Sequence, residues 1–430
     1  AAAAVAVVAA AQEGPENRKL ATTPRDLTVE GLPEYRGYTF WSSDFHISPI
    51  ADLKDLFKPL GMNIIDKSLS GHCHLKKTCA QGIKVLNKQN GINLGRCPNQ
   101  LRRDIFSAYV NDPQMRQVDA MLCNHAAGLC EAFMGFNKSL IVIASTRFEI
   151  GRHDPARWKL WNQNLRAIAA HPRNVVAANN LYDANYVKYF TGIKDVPVLP
   201  NYCAYTNAEY APRKPQILIG PGRGINDQLH GELQRRSKTS KFTFARIRDL
   251  YKVSIMSIFE YYRMNIPMFV PSPDLLADWQ LKYFLMDERT WDGVFKKKPR
   301  KSSIPQHPES TIPYDPNNEF NAEAIKYWIS FADFYQWPHV VQFSNWDDLI
   351  RKLEAADLNE ISRDMKKYNI KMKKDLVVSW KNIFHRMFKG YEPAKVQPRE
   401  QLTDFDAATK AMYGVKVHGA CTGDTHFNPV

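Results

Sequence analysis

The feature that most constrains this chain is a repeated local grammar: a short apolar run, a polar loop, then a stretch with helical spacing. Leu140–Ala144 (LIVIA) is apolar at every position. A run without alternation predicts a strand buried on both faces, the mark of a parallel sheet covered by helices. The order begins at Tyr38–Ser42 (YTFWS) and passes through a loop holding Asp44 and His46. Ile50, Leu53, Leu56, Phe57 and Leu60 then share one helical face before Gly61 stops the helix. Met62–Ile65 is the next apolar run. Asp119–Cys123 reads as a strand ending in Asn124-His125, Leu129–Met134 as a helix, Pro155–Ala170 as a helix and Asn174–Ala178 as a strand. Asp183–Phe190 is a short helix closed by Gly192. Alternation of this kind predicts an α/β fold.

A second start follows. Gln216–Ile219 is a strand running into Gly220-Pro221-Gly222-Arg223-Gly224, Asp227–Arg236 a helix, Phe242–Ile247 a strand, Val253–Tyr262 a helix and Met268–Val270 a strand. Repetition of one grammar predicts two Rossmann-like domains facing a cleft, followed by C-terminal helices near 322–334, 346–355 and 359–388. The expected boundaries are a disordered or linker leader at 1–34, an N-terminal Rossmann-like domain at 35–200, a linker at 201–215, a C-terminal domain at 216–390 and a tail at 391–430. Few residues separate Ile247 from Ser254, so the second domain is either unusually small or lacks a segment there.

Composition narrows the class. Of 430 residues, 44% are hydrophobic, which excludes a wholly disordered chain. The formal charge of +14 favours an anionic partner without choosing among nucleotide, acidic polymer, nucleic acid and membrane surface. No nucleic-acid-binding motif accompanies it. Seven cysteines leave at least one thiol unpaired within the chain and exclude a dense disulfide scaffold. Pairing of Cys73 or Cys79 with Cys97 is open. The stretch His72-Cys73-His74 with Cys79 holds metal-capable groups but has no second pair at a structural-zinc spacing. No run reaches the length of a spanning helix. Ala1–Ala11 reads either as the remnant of a signal or anchor segment, leaving room for a membrane anchor N-terminal to the chain, or as an exposed tail. Asn137-Lys138-Ser139 is a glycosylation sequon.

Two segments carry chemistry. The Gly220–Gly224 loop lies between a strand and a helix; glycines admit a phosphate, the helix end offers N–H donors, and Arg223 adds a guanidinium. Alone, it is equally a tight turn. In Ser254–Pro273 (SIMSIFEYYRMNIPMFVPSP), Ser254 stands at a helix start, Ser257 one turn on and Glu260 a further turn on. Hydroxyls and N–H groups there suit a diphosphate, and the carboxylate suits ribose hydroxyls.

This stretch resembles the donor-binding helix of GT-B glycosyltransferases, where an acidic residue precedes a small loop, a proline and a strand. Asn174–Arg223, with NVVAANNLYDANYVKYFTGIKDVPVLPNY followed by PQILIGPGRG, is similar to the end of that superfamily's first domain, its crossing and its first C-domain strand. The resemblance covers roughly residues 38–388 in order of elements. It implies a glycosyltransferase, hexosyl or related, moving sugar from a UDP- or GDP-linked donor to a hydroxyl of a glycan or protein acceptor. It also implies a Golgi or ER lumen setting. Glu260 corresponds to the ribose-binding acid. Many retaining members carry a second glutamate eight positions on, where this chain has Met268.

On the acceptor side, His46 is the expected base, because an imidazole with a pKa near 6.5 suits deprotonation of a hydroxyl and open α/β sheets bind ligands at strand ends. Asp44 would orient it. His125, Arg147 and Glu149 also follow strands and are acceptor-side candidates. No Asp-x-Asp follows a strand, Asp404-Phe405-Asp406 lying in the tail, so the reading is metal-independent with no cofactor besides the donor. The basic run Lys296–Lys301 (KKKPRK) is a solvated loop or a contact for an acidic acceptor. The competing class is a transferase-like fold used as a non-catalytic binding or structural subunit.

Overall fold

The computed structural model describes residues 6–9, 35–70, 73, 77–86, 98–125, 127–145, 155–212, 214–220, 227–246, 256–286, 297–394 and 402–414. It is an α/β protein whose chain divides into two compact units. The smaller comprises Ala1–Thr28, Asn201–Ser302 and Pro313–Asp375; the larger comprises Val29–Pro200, Ser303–Ile312 and Leu376–Val430.

In chain order the smaller unit first supplies β1 (Ala6–Ala9). The larger unit then runs β2 (Thr39–Ser42), α1 (Ile47–Phe57), β3 (Asn63–Asp66), α2 (Pro98–Tyr109), α3 (Pro113–Arg116), β4 (Ala120–Cys123), β5 (Ser139–Ala144), α4 (Pro155–Ala170), β6 (Val175–Ala178) and α5 (Leu181–Thr191). Its sheet is wholly parallel, in the order β3-β2-β4-β5-β6. The apolar run at β5 is buried at all six positions, as a strand covered on both faces requires. Asn180 starts α5 by accepting from the Asp183 amide at 2.7 Å, and Gly192 ends it at φ 70°. The segment expected as a helix at Leu129–Met134 is a 3₁₀ helix over Ala127–Phe136, every residue of it buried.

The smaller unit continues with β7 (Gln216–Gly220), α6 (Asp227–Arg236), β8 (Thr243–Arg246), α7 (Met256–Arg263), β9 (Met268–Pro271), α8 (Pro273–Tyr283), α9 (Ala322–Ile329), α10 (Asp333–Gln336), β10 (Val341–Phe343), α11 (Trp346–Ala355) and α12 (Leu358–Phe388). Its sheet order is β10-β9-β1-β7-β8. Two parallel pairs, β9 with β10 and β7 with β8, flank β1, which runs antiparallel to both neighbours. Residues 6–9 therefore depart from the expected leader. Their backbone fills the gap between β7 and β9, whose facing ladder groups would otherwise go unpaired.

The expected tail also departs. The unit boundary falls inside α12, and Leu376–Val430 belongs with the larger unit. Phe384 and Phe388 on α12 stack around Phe40 and Phe57, with Phe384 ring centroids 5.5 Å and 5.0 Å from theirs. The Ala394 amide donates to buried Asp119 at 2.7 Å. Helix α13 (Phe405–Tyr413) places the Phe405 ring where a side chain at Gly135 would stand, so residue 135 has no room for a Cβ. Aromatic packing at these separations leaves no trace in local periodicity.

Candidate functional site at the carboxyl edge of the parallel sheet

Strand order fixes where a ligand crevice forms. Chain connections leave β2 toward β3 on one side and arrive at β4 on the other. The carboxyl ends of β2 and β4 thus border a topological switch point. The loop after β2 carries Asp44 and His46; the loop after β4 carries Asn124 and His125.

Asp44 joins the two loops. Its side chain accepts from the His46 amide at 2.9 Å, the Asn124 amide at 2.9 Å and the His125 amide at 2.7 Å. The Phe45 amide donates to the His125 carbonyl at 2.8 Å, adding a main-chain rung. Below, the Ser68 hydroxyl accepts from the Asp44 amide at 3.1 Å, and the Leu69 amide donates to the Asp44 carbonyl at 2.7 Å. Asp44 is 2% exposed. Burial pushes its carboxyl up to about 7, against the pull of the amides of His46, His125, Asn124 and Phe45.

Both histidines are anchored by this carboxyl at their backbone amides. His46 is exposed, His125 half-buried, and their ring centroids are 4.3 Å apart at 57°. Asp44, expected to orient His46, meets that histidine at its backbone amide, and meets His125 by the same means. Asn124 is 1% exposed, and its side-chain oxygen has no hydrogen-bond partner among the described residues. An exposed imidazole beside a second one, on loops held together by a buried acid, is suited to accepting a proton from a hydroxyl.

Two disulfides tie segments close to these loops in sequence. Cys123, the last residue of β4, bonds Cys130, and Cys73 bonds Cys79. Ser70 and Cys73 hydrogen-bond reciprocally just beyond Ser68. Pairing of Cys73 with Cys79 removes both from partnership with Cys97 and from any zinc thiolate set with His72 and His74, which lie outside the described residues. Cys203 is a buried thiol outside these two disulfides. Among the described residues no group of three His, Cys, Asp or Glu side chains forms a metal site.

The donor-side residues divide differently. Gly220 ends β7, while Gly222, Arg223 and Ser254 lie outside the described residues. Ser257 is in the first turn of α7, and Glu260 follows on the same helix, half-buried. The Tyr205 hydroxyl donates to Glu260 Oε1 at 2.7 Å. Burial raises the Tyr205 phenol far above its ordinary range, with Cys203 and Glu260 pushing the same way, so it remains a donor. Arg263, on the next turn, stacks over Tyr202 at 5.1 Å. Arg147 and Glu149 lie outside the described residues.

Sequence reasoning missed Ser68, Asn124 and Tyr205. Ser68 and Asn124 share the signal that identified His46 and His125, a polar residue just after an apolar strand. Tyr205 has none, since 55 residues separate it from Glu260. It also missed a buried cluster in which Glu131 accepts from Arg102 at 2.9 Å, from Asn164 at 2.8 Å and from Arg157. That cluster fixes the long 3₁₀ segment behind β4. Comparison with known proteins returned no matching family model, no matching curated protein and no matching solved structure.

Proposed function

We propose that the chain is a metal-independent glycosyltransferase, built as two Rossmann-like domains in the GT-B manner. It passes a sugar from a UDP- or GDP-linked donor to a hydroxyl of a glycan or protein acceptor. The observation that carries this reading is the switch point between β2 and β4, where one buried carboxyl fixes the backbones of two histidines whose rings lie 4.3 Å apart. His46, the exposed member, takes the acceptor's hydroxyl proton. The acceptor oxygen bonds to the anomeric carbon as the bond from that carbon to the diphosphate oxygen breaks, and the nucleoside diphosphate leaves with the electron pair. Asp44 and His125 position the base. Gly220, Gly222, Arg223, Ser254 and Ser257 hold the diphosphate, where positive charge and N–H donors stabilise the leaving group, and Glu260 reads the ribose. The disulfides Cys73–Cys79 and Cys123–Cys130 fit an oxidising compartment, the Golgi or ER lumen.

One observation favours the non-catalytic alternative. Tyr205 occupies a Glu260 oxygen that a ribose would need. A single experiment separates the readings: transfer and hydrolysis assays over a panel of UDP- and GDP-sugars, with thermal melts in each nucleotide and Arg223→Ala and His46→Ala in parallel. Saturating nucleotide is expected to raise the wild-type melting temperature and not that of Arg223→Ala. A flat melt across the panel, with no turnover, leaves the binding-subunit reading.

A further inference from the structure

The strongest charged feature outside the crevice is the basic ridge at 297–301 in the smaller unit. Lys297, Lys298, Arg300 and Lys301 are all exposed, and among the described residues none is ion-paired. Elsewhere on the same unit several cations are paired, Lys366 with Glu209, Lys367 with Asp364, Lys371 with Asp375 and Lys326 with Asp274, while exposed Lys214, Lys238 and Lys374 show no ion pair among the described residues; the ridge differs in gathering its cations within a single short segment. The neighbouring carboxylates at the ridge are turned to other work. Asp315 accepts from the Ser302 amide at 2.7 Å and its hydroxyl at 2.5 Å, and Glu319, 4% exposed, accepts from Gln280 at 3.0 Å. The Glu319 amide donates to the Pro299 carbonyl at 3.0 Å. The ridge is therefore pinned from beneath while its charges face water.

Aromatic rings interleave with these cations. Arg300 lies over Phe320 at 4.3 Å and Lys298 over Phe284 at 4.7 Å. Phe320 is 47% exposed. Phe284 caps α8 at φ 52°, in the left-handed region where glycine is usual. A cation held on a ring keeps its charge while losing side-chain freedom, which lowers the entropic cost of meeting a polyanion.

We propose that this ridge is a binding site for an acidic polysaccharide, one carrying sulfate or carboxylate groups along its length. Four exposed cations in five residues, none ion-paired among the described residues, match a repeating anion, and the exposed Phe320 ring offers a face to sugar C–H groups. A membrane would need a broader apolar surface to insert, and here the ridge offers one exposed ring, Phe320, among charged side chains. Nucleic acid fits poorly with a chain in which Cys73–Cys79 and Cys123–Cys130 are disulfide-bonded. The inference goes beyond the transfer reading and needs neither donor nor turnover.

The test uses the full chain on immobilised heparin, with neutral dextran, phosphatidylserine vesicles and single-stranded RNA as comparisons. One variant carries Lys297→Ala, Lys298→Ala, Arg300→Ala and Lys301→Ala. A charge-matched control carries Arg363→Ala, Lys367→Ala, Lys371→Ala and Lys374→Ala on α12. The ridge variant is expected to lose at least about tenfold in heparin affinity near 0.15 M salt, with a shallower salt dependence, and the control less than about threefold. Phe320→Ala alone is expected to weaken heparin binding severalfold. Equal loss in the two quadruple variants, unchanged binding by the ridge variant, or tighter binding to vesicles or RNA than to heparin each overturns the proposal. Melting curves that match wild type confirm that the variants fold, and these surface changes remove no buried partner.

Discussion

Two carboxylates of this protein, Asp44 in the larger unit and Glu260 in the smaller, illustrate two ways of building a site. Asp44 is buried and its three described side-chain bonds come from backbone amides whose places are set by strand register. No rotamer change can withdraw those donors. Glu260 is half-buried on α7, and a single tyrosine hydroxyl from a distant loop meets it. That donor sits on a side chain, which a competing ligand can displace. The first site is preorganised before any ligand arrives; the second is held in an exchangeable contact. The sheets repeat the contrast, one wholly parallel with a switch point at its centre, the other two parallel pairs joined by an antiparallel strand.

The sharpest way to break this comparison is His46→Ala. If the preorganised crevice holds the reacting base, transfer falls about 10²–10⁴-fold while the fold survives. Near-wild-type turnover would move the chemistry elsewhere.

Next in size is the stability contrast. Asp44→Ala leaves the amides of His46, Asn124 and His125 without their acceptor. At ~1–3 kcal/mol per unsatisfied buried group, offset by the relief of a buried charge, the net loss is about 3 kcal/mol. Calorimetry should show a melting temperature lower by roughly 8 °C. Glu260→Ala should cost about 1 kcal/mol, because its partner can turn to water. Equal costs would mean that the two carboxylates are held alike.

The pH dependence sharpens it further. The Asp44 carboxyl is raised from 3.8 to about 7 in the folded protein. Between those values the folded state holds a proton that the unfolded state has released. The stability this group contributes is thus full below about pH 4 and is lost as pH rises through about 7. From pH 5 to pH 7 the loss is about 2 kcal/mol. Asp44→Asn, which cannot titrate, should show a flatter profile of melting temperature against pH over that interval. Profiles of equal slope would mean that the amides, rather than burial, govern this carboxyl.

The smallest effect concerns Tyr205→Phe. Removal of one part-buried hydroxyl should cost about 1 kcal/mol of stability. If Glu260 is a ribose reader held in reserve, UDP or GDP should bind a few-fold tighter by titration calorimetry. Weaker binding would show that Tyr205 belongs to the nucleotide site itself.

What the amino-acid sequence determined by itself was local. The unbroken apolar run at Leu140–Ala144, the caps at Asn180 and Gly192, and the polar residues that follow strands at Asp44, His46 and His125 are written in neighbouring residues, because side-chain period and backbone preference act over a few positions. Tertiary structure alone decided the rest. It placed β2 beside β4 and so put Asp44 against an amide 81 residues away. It set Tyr205 on Glu260, chose Cys79 for Cys73, drew Phe405 onto Gly135 and laid β1 between β7 and β9. Each of these is a pairing between distant segments. Such pairings are selected by the burial and hydrogen bonding of the whole chain, and no local period encodes them.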